Sequence, residues 1–148
     1  MDPLQRLVAI EDIKNLKARY FRLLDTKQWS PWEQLFIEDL TTEFPDDRPD
    51  MPPFRGRRAF VEAIEASLGP ALTLHHGHTP EIEILTPTSA RGIWVMQDWL
   101  HWPPGAPLAE VGFRHVLGWG HYHETYAKTS EGWRIATLKL TRMHLDRS

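Results

Sequence analysis

Apolar residues at Leu7, Ile10, Ile13, Leu16, Tyr20 and Leu24 recur at steps of three and four, a spacing that predicts one buried stripe along a long helix. Asp2 can cap its start, Pro3 suits its opening position, and Gln5 stands where a capping-box partner belongs. The helix should end near Thr26. Ser30-Pro31-Trp32-Glu33 repeats the capping grammar and predicts a short second helix that ends at Ile37 or Glu38. A third follows Gly56, with Phe60, Ile64 and Leu68 on one face, until Gly69-Pro70 stops it.

Past residue 71 the period changes. Segments 72–78, 81–85, 90–102, 111–128 and 133–144 are rich in β-branched and aromatic residues, and Pro, Ser and Gly stand in the turns between them. The last three are long for strands, a length that a strongly curved sheet uses well. Gly118 and Gly120 inside one of them predict a bulge or bend. Helices followed by consecutive antiparallel strands define an α+β domain, and a curled sheet wrapped on a long helix encloses a pocket. The proline-rich stretches 45–54 and 103–110 read first as surface connections, and they could also border the mouth of that pocket.

Residues 1–148 read as a single domain, because two would each be too small for a comfortable core. With 41% apolar and 25% charged residues, wholesale disorder is excluded. The lack of cysteine excludes disulfides, thiolate zinc sites, iron–sulfur clusters and cysteine nucleophiles. A net charge of −3 gives no electrostatic reason to expect nucleic acid or an anionic membrane as a partner. No apolar run approaches the roughly 20 residues that span a bilayer. The opening Met1-Asp2-Pro3 has neither a basic start nor an apolar signal core, so a cytoplasmic location is expected.

Eight histidines and seven tryptophans are the unusual counts. His75, His76 and His78 lie in Leu74-His-His-Gly-His-Thr-Pro80, and His121 and His123 in Gly120-His-Tyr-His-Glu124. Strand alternation groups His76 with His78 and His121 with His123, while His75 faces the other way. Two His-x-His pairs raise the question of a metal, since imidazole suits zinc, iron and copper. No third ligand stands at a recognisable spacing, and the cupin-type pattern lacks its downstream glycine and histidine elements. No metal is therefore expected, and His121 and His123 read first as half-buried strand residues bonded to neighbours.

Carboxylates in apolar settings are the next signal. Asp98 lies in Trp94-Val-Met-Gln-Asp-Trp-Leu100, where a lone ionised carboxylate is costly and needs a partner, a raised pKa or a polar cavity. Asp25 ends the first helix, where an acid is electrostatically misplaced, and Tyr20 brings a hydroxyl onto the apolar stripe. Helix geometry alone sets Tyr20 and Asp25 about 140° apart, which does not place them in one site. Phosphate-binding glycine loops and a Gly-x-Ser-x-Gly elbow are absent from the sequence, and Arg55-Gly-Arg-Arg58 reads as a solvated basic cluster.

The order of elements resembles the cone-shaped α+β fold of the nuclear-transport-factor-two-like superfamily, in its SnoaL-like branch. In that fold N-terminal helices pack on a strongly curved antiparallel sheet that encloses a pocket. Three stretches resemble the bacterial bile-acid dehydratases: Ile13-Lys-Asn-Leu-Lys-Ala-Arg-Tyr-Phe-Arg-Leu-Leu-Asp25, His75-His-Gly-His-Thr-Pro-Glu-Ile82 and Arg91-Gly-Ile-Trp-Val-Met-Gln-Asp98. The closing Gly132-Trp-Arg-Ile135 with Arg142 is common across the superfamily. The likeness is weakest in residues 36–71 and 99–120.

Carried over position by position, the resemblance implies a catalytic histidine at His75, a helix-end acid at Asp25, a pocket tyrosine at Tyr20, a strand acid at Asp98 and a late arginine at Arg142, which either binds substrate or makes a structural salt bridge. It selects His75 over His76, in agreement with strand parity. Two departures concern the substrate: a second pocket tyrosine is replaced by Phe44, and His121 and His123 stand where that family has no imidazoles. Phe44, His121 and His123 are therefore expected to contact the substrate, with Trp94 among the tryptophans of the cavity.

The activity so implied is that of a cofactor-independent lyase or isomerase of the dehydratase type, in which a His-Asp dyad removes a proton next to a carbonyl. A Trp-rich cavity suits an apolar steroid, polyketide or aromatic compound, free or carried as a thioester. Neither nucleic acid nor membrane is an expected partner. The apolar outer face of such a sheet needs cover, and relatives are commonly dimers or trimers, so a homodimer or homotrimer is expected. The alternative is a non-catalytic small-molecule-binding or assembly domain, because the fold alone does not decide function.

Overall fold

The computed structural model describes residues 1–106 and 112–148. Helix α1 (Pro3–Asp25) begins as its sequence prescribes. The Asp2 side chain accepts from the Gln5 backbone N–H, the Gln5 side chain accepts from the Asp2 backbone N–H, and Thr26 is the C-cap. Ile13, Leu16, Tyr20 and Leu24 are buried, whereas Leu4, Leu7 and Val8 are exposed, so the stripe enters the core only from Ala9 onward.

Helix α2 (Trp29–Glu33) is shorter than the sequence predicts. Ser30 does not cap it: Gln28 is its N-cap and makes no side-chain capping bond. Where the helix should have continued, the chain enters strand β1 (Phe36–Glu43), followed by β2 (Phe54–Arg55). The reason is tertiary. The Ile135 N–H donates to the Leu35 carbonyl at 2.9 Å, and β1 pairs in parallel with the last strand of the chain, which no local signal announces. Helix α3 (Arg57–Leu68) stops at Gly69 as expected.

The remaining strands are β3 (Leu72–Thr86), β4 (Ser89–His101), β5 (His115–Thr129) and β6 (Gly132–Arg147). Segments 72–78 and 81–85 are one strand, with a register shift between His78 and Glu81 and Thr79 at a φ of 37°. The predicted segment 111–128 is strand from His115; residue 111, and residues 107–110 of the second proline-rich loop, lie outside the described residues. The sheet runs β2-β1-β6-β5-β4-β3 and does not close on itself. It is antiparallel except for β1 against β6.

Parity sorts the two faces. Trp94, Met96, Asp98 and Leu100 of β4 and Val116, Tyr122, Glu124 and Tyr126 of β5 are buried toward the helices, while Ile93, Val95, Trp99, Leu117 and Trp119 are exposed on the outer face. The expected bend is present as a register shift between Trp119 and Gly120, where a Cβ on Gly120 would run into the Thr141 carbonyl oxygen. Among the described residues no helix is long and apolar enough to cross a membrane.

Candidate active site

Close helix–sheet packing brings the end of α1 onto β3. Gly77 faces inward, and a Cβ there would lie 2.5 Å from the Phe21 ring, so glycine lets that ring pack directly on the strand. Two residues earlier, His75 is buried and directs Nδ1 to Asp25 Oδ1 at 2.6 Å. The His75 backbone N–H donates to Asp25 Oδ2 at 2.9 Å, and Thr73 Oγ1 donates to Oδ1 at 2.8 Å. Lys27 Nζ in turn donates to Thr73 Oγ1 at 2.7 Å. Burial works against the Asp25 carboxylate, but the bonds and charge of His75, with the Thr73 bond, hold it below the usual carboxylate range. With Nδ1 engaged, His75 Nε2 has no hydrogen bond among the described residues.

Register continues the site across the sheet, since His75 pairs with Asp98 of β4 and Asp98 with Gly118 of β5. Asp98 finds the partner its apolar setting demands. Arg142 of β6 donates to both its oxygens, at 2.6 and 2.8 Å. The same guanidinium donates to both oxygens of Asp47, at 3.1 and 3.0 Å. Burial alone would lower the Arg142 pKa, but the two carboxylates hold it above its ordinary value. Gly118 makes room for the pair, because a Cβ there would stand 2.6 Å from Arg142 Nη1.

Tyr20 faces the same space. Burial first, then the negative charge of Glu124, push its phenol above the ordinary range, while a hydrogen bond with Tyr122 acts in the opposite direction. Behind it lies a buried network that sequence reasoning missed. Lys17 pairs with Glu124, and its Nζ stands 3.9 Å from the Tyr20 ring centroid and 3.7 Å from that of Tyr122. Tyr126 donates to Glu124 at 2.6 Å and accepts from Trp94 Nε1 at 2.8 Å. The signal was available: Lys17 sits four residues after Ile13 and three before Tyr20, on the buried side of α1, and Glu124 has the inward parity of β5.

These groups meet at a cavity of about 290 Å³, lined by Tyr20, His75, Asp98, Tyr122 and Arg142 together with a largely apolar remainder. Phe44 belongs to that remainder and stacks on Phe60 at 5.9 Å between centroids. Asp47, Arg48 and Phe54 also line the cavity, so the 45–54 stretch does border it.

Three expected substrate contacts fall elsewhere. His121 and His123 lie on the outer face, because the inward positions of β5 are the even ones, Gly118 to Tyr126. Trp94 points inward but is packed in the core, bonded to Tyr126, and does not line the cavity. Among the described residues no group of three or more His, Cys, Asp or Glu is gathered to hold a metal. His76–His78 and His121–His123 stand as separate pairs, 5.5 and 6.3 Å between centroids.

Comparison with known proteins places the chain in a family. A curated relative from Gibberella zeae, "Probable cyclase FGR4", is 25% identical over 139 residues, covering 89% of each chain. Two of the solved structures that share the fold illustrate the likeness. One, described as "Putative Scytalone Dehydratase" from Novosphingobium aromaticivorans, superposes with a TM-score of 0.81 at 20% identity over 97% of this chain and 90% of that one. The other, a hexachlorocyclohexane dehydrochlorinase (LinA) Type2, gives 0.81 at 15% identity over 99% and 93%. The SnoaL-like domain model matches residues 5–139, nearly the whole length. A helix-backed, unclosed curved sheet of nuclear-transport-factor-two-like architecture and a match of that extent establish that the chain belongs to the SnoaL-like domain family.

Proposed function

We propose that the protein is a cofactor-independent lyase or isomerase of the dehydratase type, acting on a proton beside a carbonyl of an apolar small molecule. One observation carries this reading: His75 Nδ1 is held 2.6 Å from Asp25 Oδ1 at the edge of a largely apolar cavity. The cyclase, dehydratase and dehydrochlorinase named among the similar proteins support a small-molecule reaction of this kind.

In this reading His75 Nε2 takes the acidic proton. The electron pair of the broken C–H bond passes through an enolate into a new C=C bond and expels hydroxide, which leaves as water with the proton His75 has taken. Asp25 is a positioning residue that fixes the tautomer and stabilises the imidazolium. Tyr20, kept protonated by its surroundings, donates to the enolate oxygen, a contribution of a few kcal/mol in a dry cavity. Asp98, bound on both oxygens by Arg142, accepts from a substrate hydroxyl in this reading. No step needs a cofactor.

The test is a panel of β-hydroxy ketones and β-hydroxy thioesters on steroid, polyketide and aromatic frames, read by the absorbance of the conjugated product and by loss of water in the mass spectrum. Wild type should convert at least one frame, and His75→Ala should abolish turnover with the melting temperature nearly unchanged. Equal turnover by His75→Ala defeats the base assignment. A wild type that binds but never converts returns the protein to a binding-only role.

A further inference from the structure

Among the described residues, the cavity lining carries more positive than negative charge once its own ion pairs are counted. Its described lining holds two carboxylates, Asp47 and Asp98, and three arginines, Arg48, Arg142 and Arg147. Asp98 is occupied by Arg142 on both oxygens. Asp47 is occupied by Arg142 on both oxygens as well, and Arg147 closes on it through the Asp47 carbonyl at 3.0 Å and a carboxylate oxygen at 3.9 Å. Arg48 is left over. Its guanidinium has no carboxylate within ion-pair distance among the described residues, and its recorded side-chain partner is the Met51 sulfur at 3.3 Å.

The loop that bears Arg48 is fastened down. Its backbone N–H donates to the Phe44 carbonyl at 2.9 Å, and its carbonyl accepts from Met51 at 3.1 Å. The two preceding residues are tied to β6, Asp46 by the Arg142 backbone N–H at 2.7 Å and Asp47 by the Arg142 side chain. An arginine with no carboxylate partner among the described residues, on a loop whose backbone is anchored beside an apolar cavity, is a complementary seat for an anion, because the loop need not be ordered when the guest arrives.

We propose that Arg48 is an anion-recognition residue at this cavity, and that the guest is an apolar molecule bearing an acidic group, which Arg48 binds while the hydrophobic body fills the space toward His75. This rests on the proposed function only for the guest being a substrate; the binding claim stands by itself.

The experiment uses two dyes with the same rings, 1-anilinonaphthalene-8-sulfonate, which carries a sulfonate, and N-phenyl-1-naphthylamine, which does not. Their fluorescence titrations are compared for wild type, Arg48→Gln, Arg48→Lys and the cavity-filling Ile64→Trp. The expected result is about ten-fold weaker sulfonate binding in Arg48→Gln, the neutral dye within two-fold of wild type, substantial rescue in Arg48→Lys, and loss of both dyes in Ile64→Trp. Higher salt should weaken only the sulfonate. Unchanged sulfonate binding in Arg48→Gln, equal weakening of both dyes, or sulfonate binding that survives Ile64→Trp overturns the proposal. None of these outcomes touches the base assignment, which is read by turnover in His75→Ala.

Discussion

A single carboxylate organises the candidate site. Asp25 accepts from the His75 ring, the His75 backbone and the Thr73 hydroxyl at once, so it fixes both the rotation of the imidazole and the position of its strand. Asp25→Asn is expected to lower kcat by about 10³–10⁴-fold, as removal of an orienting acid does in serine proteases, with KM little changed. The same variant tests linkage. The Asp25 pKa lies below its ordinary 3.8 in the fold, so its stabilisation is complete above that value and is lost as pH falls through the folded value. In urea unfolding, the gap between wild type and Asp25→Asn should narrow as pH falls below 4; a gap that persists unchanged into strong acid contradicts it. At this scale the sequence was informative: an acid misplaced at a helix end and an acid stranded in an apolar strand both announced partners. It did not name them, because His75 is 50 residues from Asp25 and Arg142 is 44 from Asp98.

Elements bring those partners together, and glycines set the distances. Gly77→Ala should push Phe21 and the end of α1 off β3, at a cost of about 1–3 kcal/mol typical of overpacking, and should loosen the Asp25–His75 contact. Urea unfolding together with kcat checks this; a fully stable, fully active Gly77→Ala would show that the helix has slack. The capping box of α1 and the stop of α3 were legible because they are written in neighbouring residues. Strand β1 was not. Trp32, Leu35, Phe36 and Leu40 recur at helical steps, and what makes the segment a strand is its pairing with β6, about a hundred residues away. Lys17 was overlooked for a similar reason, since a lysine is read as exposed until a buried glutamate is known to face it.

At the scale of the whole molecule, curvature divides the histidines by task. His75 looks inward, whereas His121 and His123 stand on the outer face among Ile93, Val95, Trp99, Leu117 and Trp119. His121→Ala and His123→Ala should therefore leave the ranking of substrates unchanged; a shifted ranking in the turnover panel would return them to the site. The exposed apolar outer face is expected to be covered by further copies of the chain, and sedimentation equilibrium should report a dimer or trimer, with a monomeric mass counting against it. The sequence by itself determined the helical stripe, the strand parity and the presence of two acids in need of partners, because these follow from periods of 3.6 and 2 and from the cost of burying charge. Only the tertiary structure decided which histidines see the cavity, that Arg142 holds Asp98 and Asp47 together, and that Arg48 has no carboxylate partner among the described residues. Each of those depends on strand register and sheet curvature, which join residues too far apart along the chain for any local pattern to encode.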